Sequence, residues 1–287
     1  MASEIAEKYA QRADKYESLY EDKFDAIWND ILPRINIQED ARVLDVGCGT
    51  GRTLRHIMDW FQRNRLQVKG VDLCADMIAQ AREKTDLSAI QSRGQKIDWE
   101  VQDCLTFLKS CPEEEYDLII AASLLAYVEA TELFPLINKA AKKGGRLIVI
   151  SAAFDFTESV GLEIIKALVM EHFFSIHWSA LFKKLTLVKP AGEITRILIA
   201  SGFKKIVIEM RSMSVAFPNP LSCLKWIDET GLASQYLDII KKKNKEKVLA
   251  DIVKYAERKK IPIFGEEVKR DAPFVLNWPV YVISAEK

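Results

Sequence analysis

Three acids stand at or near the ends of three hydrophobic runs: Asp45 inside Val43-Leu44-Asp45-Val46, Asp72 after Leu66 to Val71, and Asp103 after Ile97 to Val101. Directly behind the first run comes Gly47-Cys48-Gly49-Thr50-Gly51. Glycine lacks a Cβ, so such positions accept positive φ and let the backbone approach a ligand closely, as a strand-to-helix turn of a doubly wound sheet requires. A helix opening near Thr50 points its N-terminus at that ligand. The spacing therefore describes a nucleotide site. Asp72 lies at the separation where an acid accepts hydrogen bonds from both ribose hydroxyls. Asp103 is placed to take the exocyclic amine of adenine, with Leu73 and the Cys104-Leu105 pair clamping the ring. A glycine turn that binds nothing is the plain alternative, and the three matching acids argue against it. A nicotinamide or flavin fingerprint sets its last glycine three positions after the second, whereas Gly49 and Gly51 are separated by one residue.

These residues need strands and helices in alternation to hold them, and the pattern supplies them. Apolar runs predict strands at 42–46, 66–71, 97–101, 116–121, 146–151, 204–210 and 278–284. Helical periodicity predicts 51–62, 75–84, 104–110, 131–142 and 190–201, with Lys143-Gly144-Gly145 and Gly202 as glycine caps. Residues 4–33 carry two amphipathic helical patterns ended by Pro33, the first with Ile5, Tyr9, Tyr16 and Tyr20. The order implies a mainly parallel sheet covered by helices on both faces. Two stretches interrupt it: an aromatic-rich 153–188, and 217–277, which is too long for a simple loop and holds two or three helices.

With these residues in view, the chain resembles the class I S-adenosylmethionine-dependent methyltransferases from Arg42 to Ile150, and more loosely beyond. The motif Asp45-Val46-Gly47-Cys48-Gly49-Thr50-Gly51, the acids Asp72 and Asp103, and the segment Tyr116-Asp117-Leu118-Ile119-Ile120-Ala121-Ala122 carry the likeness. Alternation and resemblance together imply an α/β fold with a doubly wound, Rossmann-like, seven-stranded sheet, mainly parallel with an antiparallel last strand, plus helical lid insertions. Residues 1–35 are expected as an N-terminal helical lid and 36–287 as the methyltransferase domain, with insertions at about 153–188 and 217–277. The resemblance implies S-adenosyl-L-methionine as cofactor, with Asp45 helping to hold its methionine end. The expected cofactor residues are Asp45, Gly47, Cys48, Gly49, Gly51, Asp72, Leu73, Asp103, Cys104, Ala121 and Tyr16.

Methyl transfer from a sulfonium is an in-line displacement, so a protein mainly aligns the partners, excludes water and sometimes removes a proton. No metal is expected. In the family the stretch after the fourth strand borders the reactive methyl, which makes Tyr127 a candidate to orient the acceptor. His172 and His177 in the first insertion are candidate bases, against the plainer reading of surface or packing histidines. His56 reads as structural. Tyr9 and Tyr16 either belong to a closing helix or are core. No Asn-Pro-Pro-Tyr-like segment follows the fourth strand and no cysteine there suggests a covalent pyrimidine mechanism, which leaves a small-molecule O or N acceptor. The segment from Pro220 to Leu232, the helical run to Tyr255 and Trp278 to Ile283 are loosely similar to the end of trans-aconitate methyltransferases. That similarity favours a carboxylate acceptor held by an Arg such as Arg211, which is otherwise a partner of Glu209. A cofactor-binding regulatory protein, or a non-methylating enzyme on the same fold, is the alternative.

Composition fits this reading. Forty-one basic residues balance 41 acidic ones, which removes the global field that would gather a polyanion, so nucleic acid is not expected as a partner. The run Lys241 to Lys247 reads as a solvated helix face beside the apolar Val248, Leu249, Ile252, Val253 and Tyr255. No apolar run reaches the roughly 18 residues of a membrane span, and a cytoplasmic enzyme is expected. Five cysteines, an odd number without metal-ligand spacing, read as reduced small apolar residues.

Overall fold

A computed structural model describes residues 2–20, 23–153, 189–230, 240, 244–260, 262–263 and 266–287. The chain forms two compact units, one of Met1–Ser151, Ala191–Arg211 and Tyr281–Lys287, the other of Ala152–Pro190 and Ser212–Val280.

The N-terminal stretch contains α1 (Ala2–Ala10), α2 (Tyr16–Tyr20) and α3 (Lys23–Ile31). Strand and helix then alternate through β1 (Arg42–Val46), α4 (Arg52–Trp60), β2 (Gln67–Asp72), α5 (Ala75–Glu83), α6 (Leu87–Ser92), β3 (Lys96–Val101), α7 (Cys104–Ser110), β4 (Tyr116–Ala122), α8 (Ala130–Ala140) and β5 (Ala141–Ala152). Among the described residues there follow α9 (Ala191–Ala200), β6 (Lys204–Phe217), α10 (Pro220–Thr230), α11 (Lys245–Lys259) and β7 (Phe274–Glu286).

The seven strands order as β3-β2-β1-β4-β5-β7-β6. β1 pairs in parallel with β2 and β4, and β2–β3 and β4–β5 are parallel too. β7 enters antiparallel: the amides of Gly144 and Lys287 donate to the carbonyls of Lys287 and Gly145, and Ala153 donates to Pro279. The sheet is thus mixed and mostly parallel, as expected from the sequence. A central strand covered on both faces must be apolar along its length. Val43, Leu44 and Val46 accordingly have no exposure, which makes the acid among them, Asp45, the exception. From α4, Leu54, Ile57 and Met58 are buried, each stabilising by roughly 1.5–3 kcal/mol.

Several expectations need correction. The helix expected to run to 142 and cap at Gly144-Gly145 ends at Ala140, and both glycines lie within β5. Gly144 does adopt φ +75, but it serves an irregularity where the β4 pairing jumps from Tyr116↔Ala141 to Leu118↔Arg146. The last two strands run several residues beyond the expected ends. Helix α6 was not expected; the Asp86 carboxylate starts it by accepting from the amides of Ser88 and Ala89, both at 3.0 Å. The first N-terminal pattern is not one helix either. It breaks after Ala10, and Tyr16 folds back so that its ring lies 6.0 Å from that of Tyr9. Gly202, by contrast, caps α9 at φ +91 as expected, with Phe203 donating to Leu198.

Lys245 at the start of α11 pairs with Asp228 of α10, and Lys225 of α10 pairs with Glu246 at 2.7 Å. Val248, Leu249, Ile252 and Val253 of α11 are buried. Among the described residues no helix is long and apolar enough to cross a membrane. His172, His177 and the aromatic residues 154–182 of the first insertion lie outside the described residues.

Candidate active site

The turn after β1 is built from backbone donors. Gly47 and Cys48 both donate to the carbonyl of Val71, at 2.8 and 3.1 Å, and Gly51 donates to Cys48 at 2.9 Å. Gly47, Gly49 and Gly51 adopt φ of +76, +53 and +74, where an L side chain is strained. The glycines are nevertheless needed for different reasons. A Cβ on Gly51 would collide with the Trp99 ring, which also fills the space over Gly70 in the neighbouring strand. A Cβ on Gly49 would meet nothing within 4 Å, so of the three turn glycines Gly49 is the one that faces open space.

Asp72 ends β2 beside this turn. Its Oδ2 accepts from the Gly49 amide at 2.8 Å and its Oδ1 from the Cys74 amide at 2.8 Å. Burial raises its pKa and these amides oppose the rise. The Leu73 amide opposes it as well, and a carboxylate has about four acceptor sites, so capacity for a further donor remains. Asp103 lies two residues past the end of the next strand and caps α7: its Oδ1 accepts from the Thr106 amide and hydroxyl, both at 2.9 Å. Cys104 next to it is buried, and that burial, with the Asp103 charge, pushes the thiol up to about 11. All five cysteines are free and buried.

Asp45 differs from the other acids. It is 1% exposed, and its Oδ1 has no hydrogen-bond partner. Burial, and then the nearby Asp72 charge, push its carboxyl up to about 8. It lines a cavity of ≈ 90 Å³ together with Gly47, Cys48, Gly49, Thr50 and Tyr16. Ala122 and Ser123 from the end of β4 line it as well, whereas Ala121 is fully buried and is not part of its wall. Leu73, Asp72, Asp103 and Cys104 are outside this wall too. A larger groove of ≈ 900 Å³ includes Arg42, Gln67, Lys96 and Tyr116, the first residues of β1 to β4. Open α/β sheets bind ligands at the carboxyl ends of their strands, so the smaller cavity is the relevant one.

The rest of the wall is a contribution the motifs did not reveal. Glu17, Asp25 and Trp28 come from the N-terminal segment, and Arg52, Thr53 and His56 from α4. The two parts are joined by ion pairs. Arg52 Nε and Nη2 grip the Asp25 carboxylate at 3.1 and 2.7 Å. Arg55 donates to Glu17 and to the Thr50 carbonyl, both at 2.6 Å, and Lys84 approaches Glu17 at 3.5 Å. Burial opposes the Glu17 charge, yet the Thr50 hydroxyl and Arg55 hold its carboxyl below the usual range. His56 meets the Asn29 side chain at 3.0 Å. Acid and arginine types are legible in the sequence, but their pairing over 27 and 38 residues is not.

Tyr127 follows the turn at Ser123, a non-glycine residue with φ +59. Its hydroxyl meets that of Tyr9 at 2.8 Å, either one donating, and the two rings stand edge to face at 5.9 Å. Tyr9 also packs against Tyr16, and burial, with Tyr127 and Tyr16 nearby, raises its pKa well above the ordinary phenol value. Tyr9, Tyr16 and Ala10 pack on the buried Ala13, Cys74 and Met77, which seats the N-terminal segment on α5. Arg211 is held by Asp30 at 2.9 Å and by Glu209 at 3.2 Å.

The comparisons with known proteins agree with this geometry. Residues 43–145 match the model of the family described as methyltransferase domain. Phosphoethanolamine N-methyltransferase 1 of Arabidopsis thaliana is 29% identical over 122 residues, covering 42% of this chain and 23% of that one. Trans-aconitate 2-methyltransferase of Variovorax paradoxus is 31% identical over 132 residues, 45% of this chain and 46% of that one. The matched stretch thus spans less than half the length of either relative. Phosphoethanolamine N-methyltransferase 2 of Haemonchus contortus, solved with phosphomonomethylethanolamine and S-adenosylhomocysteine, superposes with a TM-score of 0.56 at 17% identity. That superposition covers 97% of this chain and 57% of the other, and shows a common fold. Residues 43–145 thus match a methyltransferase domain, and the fold around them is that of the class I S-adenosylmethionine-dependent methyltransferases.

Proposed function

We propose that this protein transfers a methyl group to a nitrogen or oxygen atom of a small molecule. The observation that carries the proposal is the Asp45 carboxyl, buried at the end of β1 with an unpartnered oxygen in a cavity beside the open face of Gly49. A site with an uncompensated buried acid fits a ligand bearing a positive charge, and the methionine end of S-adenosylmethionine carries an ammonium group.

In this reading Asp45 would face the amino acid end of the cofactor, while Gly47, Cys48 and Gly49 give it room and Tyr16 closes over it. Asp72 would accept from the ribose hydroxyls with the acceptor capacity its backbone donors leave. Asp103, with Leu73 and Cys104, would border the adenine. When bound, the cofactor supplies a methyl carbon activated by its positively charged sulfur. Tyr127, fixed by the Tyr9 hydroxyl, would orient the acceptor by a single hydrogen bond.

Arg211 is already balanced by two acids, so an acceptor carboxylate held by that residue is not favoured. The relatives are named for phosphoethanolamine N-methylation and trans-aconitate 2-methylation, so both compounds enter the test. Purified protein is incubated with methyl-labelled S-adenosylmethionine and, separately, phosphoethanolamine, simple phenols, trans-aconitate and a fractionated metabolite extract. A labelled product that needs Tyr127 supports the reading. Tight cofactor binding with no product from any acceptor or extract favours a regulatory protein on the same fold.

A further inference from the structure

Among the described residues, the basic side chains around the cavity are engaged with acids or carbonyls other than Asp45. Arg52 from α4 grips Asp25, Arg55 grips Glu17 and the Thr50 carbonyl, Lys84 also approaches Glu17, and His56 meets Asn29. The groups closest in kind to Asp45 are acidic or neutral: Asp72 from β2, Cys48 from the glycine turn and Tyr16 from the N-terminal segment. An ionised carboxylate cannot persist there without a partner, because burial removes water and Asp72 adds a like charge.

Building on the cofactor reading above, we infer that Asp45 holds a proton in the cofactor-free protein and releases it to solvent when the ammonium end of the cofactor enters. The exchange is balanced: a neutral carboxyl and an ammonium become a carboxylate–ammonium pair, and one proton passes to the buffer. Affinity then depends on pH through this residue. The carboxyl, pushed up to about 8, is mostly protonated at neutral pH, so the conversion contributes throughout the range below that value.

The test is calorimetric titration of the full chain with S-adenosylhomocysteine at pH 7 in phosphate and in Tris, whose heats of ionisation differ. The difference in binding heat counts the protons released. About one proton is expected for the wild type and none for Asp45→Asn. Affinity of the wild type is expected to rise about tenfold per pH unit between pH 6 and 7.5, below the range where an α-amino group itself titrates. Equal heats in the two buffers, a flat pH profile, or release that persists in Asp45→Asn overturns the inference while leaving the cofactor site standing. Failure of the folded wild type to bind at any pH overturns both.

Discussion

The hydroxyls of Tyr9 and Tyr127 meet at 2.8 Å although 118 positions separate them in the chain. The contact ties the first helix to the segment after β4, where the methyl acceptor is proposed to lie. Tyr9→Phe removes the partner but keeps the ring, so turnover is expected to fall about tenfold, the value of one positioning bond near 1.4 kcal/mol. Cofactor affinity should stay within about twofold. Equal turnover in Tyr9→Phe and wild type, measured with the acceptor the labelling experiment identifies, would remove Tyr127 from the acceptor site.

The ≈ 90 Å³ cavity is smaller than the roughly 300–1,000 Å³ that encloses a drug-sized ligand. In the proposed reading, cofactor exchange is expected to move the N-terminal wall of Tyr16, Glu17, Asp25 and Trp28. Its restraints are the part-exposed pairs Arg52–Asp25 and Arg55–Glu17, each worth about 1 kcal/mol or less after screening by solvent. The double variant Arg52→Gln, Arg55→Gln is expected to release S-adenosylhomocysteine about three- to tenfold faster in stopped-flow dilution, and raised salt should move the wild type the same way. An unchanged release rate in both cases contradicts a closing role.

Substitutions at the glycines separate packing from ligand space. Gly51→Ala drives a Cβ into the Trp99 ring at a positive φ and is expected to lose about 2–4 kcal/mol in urea denaturation. Gly49→Ala meets open space and should lose only about 1 kcal/mol from its backbone, while weakening the cofactor more than the fold. Equal stability losses would show that the two positions do not differ as described.

Much of this was legible in the sequence because it demands particular residue types. Asp45 is an acid in a strand otherwise too apolar to tolerate one, and the glycines after it allow φ values that few other residues accept. Asp72 ends and Asp103 follows strands whose alternation predicts them. What could not be read depends on tertiary partners. Gly51 owes its lack of a Cβ to a tryptophan 48 positions later, and Glu17 and Asp25 become cavity wall only through arginines on α4. Gly144 looked like a helix cap because glycine serves a cap and a strand irregularity equally well; only the β4–β5 register decides between them.

The cofactor-free protein should also carry the mark of Asp45 in its stability. An ordinary aspartate titrates near 3.9, so the unfolded chain loses this proton at lower pH than the folded one. The stability supplied by the neutral carboxyl is whole below about pH 4 and declines as pH climbs toward about 8. Melting of the wild type is expected to fall across that window, and that of Asp45→Asn to fall less, with a residual slope from Asp72, whose pKa is also raised. Parallel profiles for the two proteins contradict a neutral Asp45.

The most direct measurement of the central claim is calorimetric binding of S-adenosylhomocysteine to the wild type and to Asp72→Ala. One-to-one binding is predicted for the wild type, weakened in the variant by about 1–3 kcal/mol through loss of a charged acceptor for the ribose. Equal affinity in the two proteins, or no binding by the folded wild type, would contradict a cofactor held at the ends of β1 and β2.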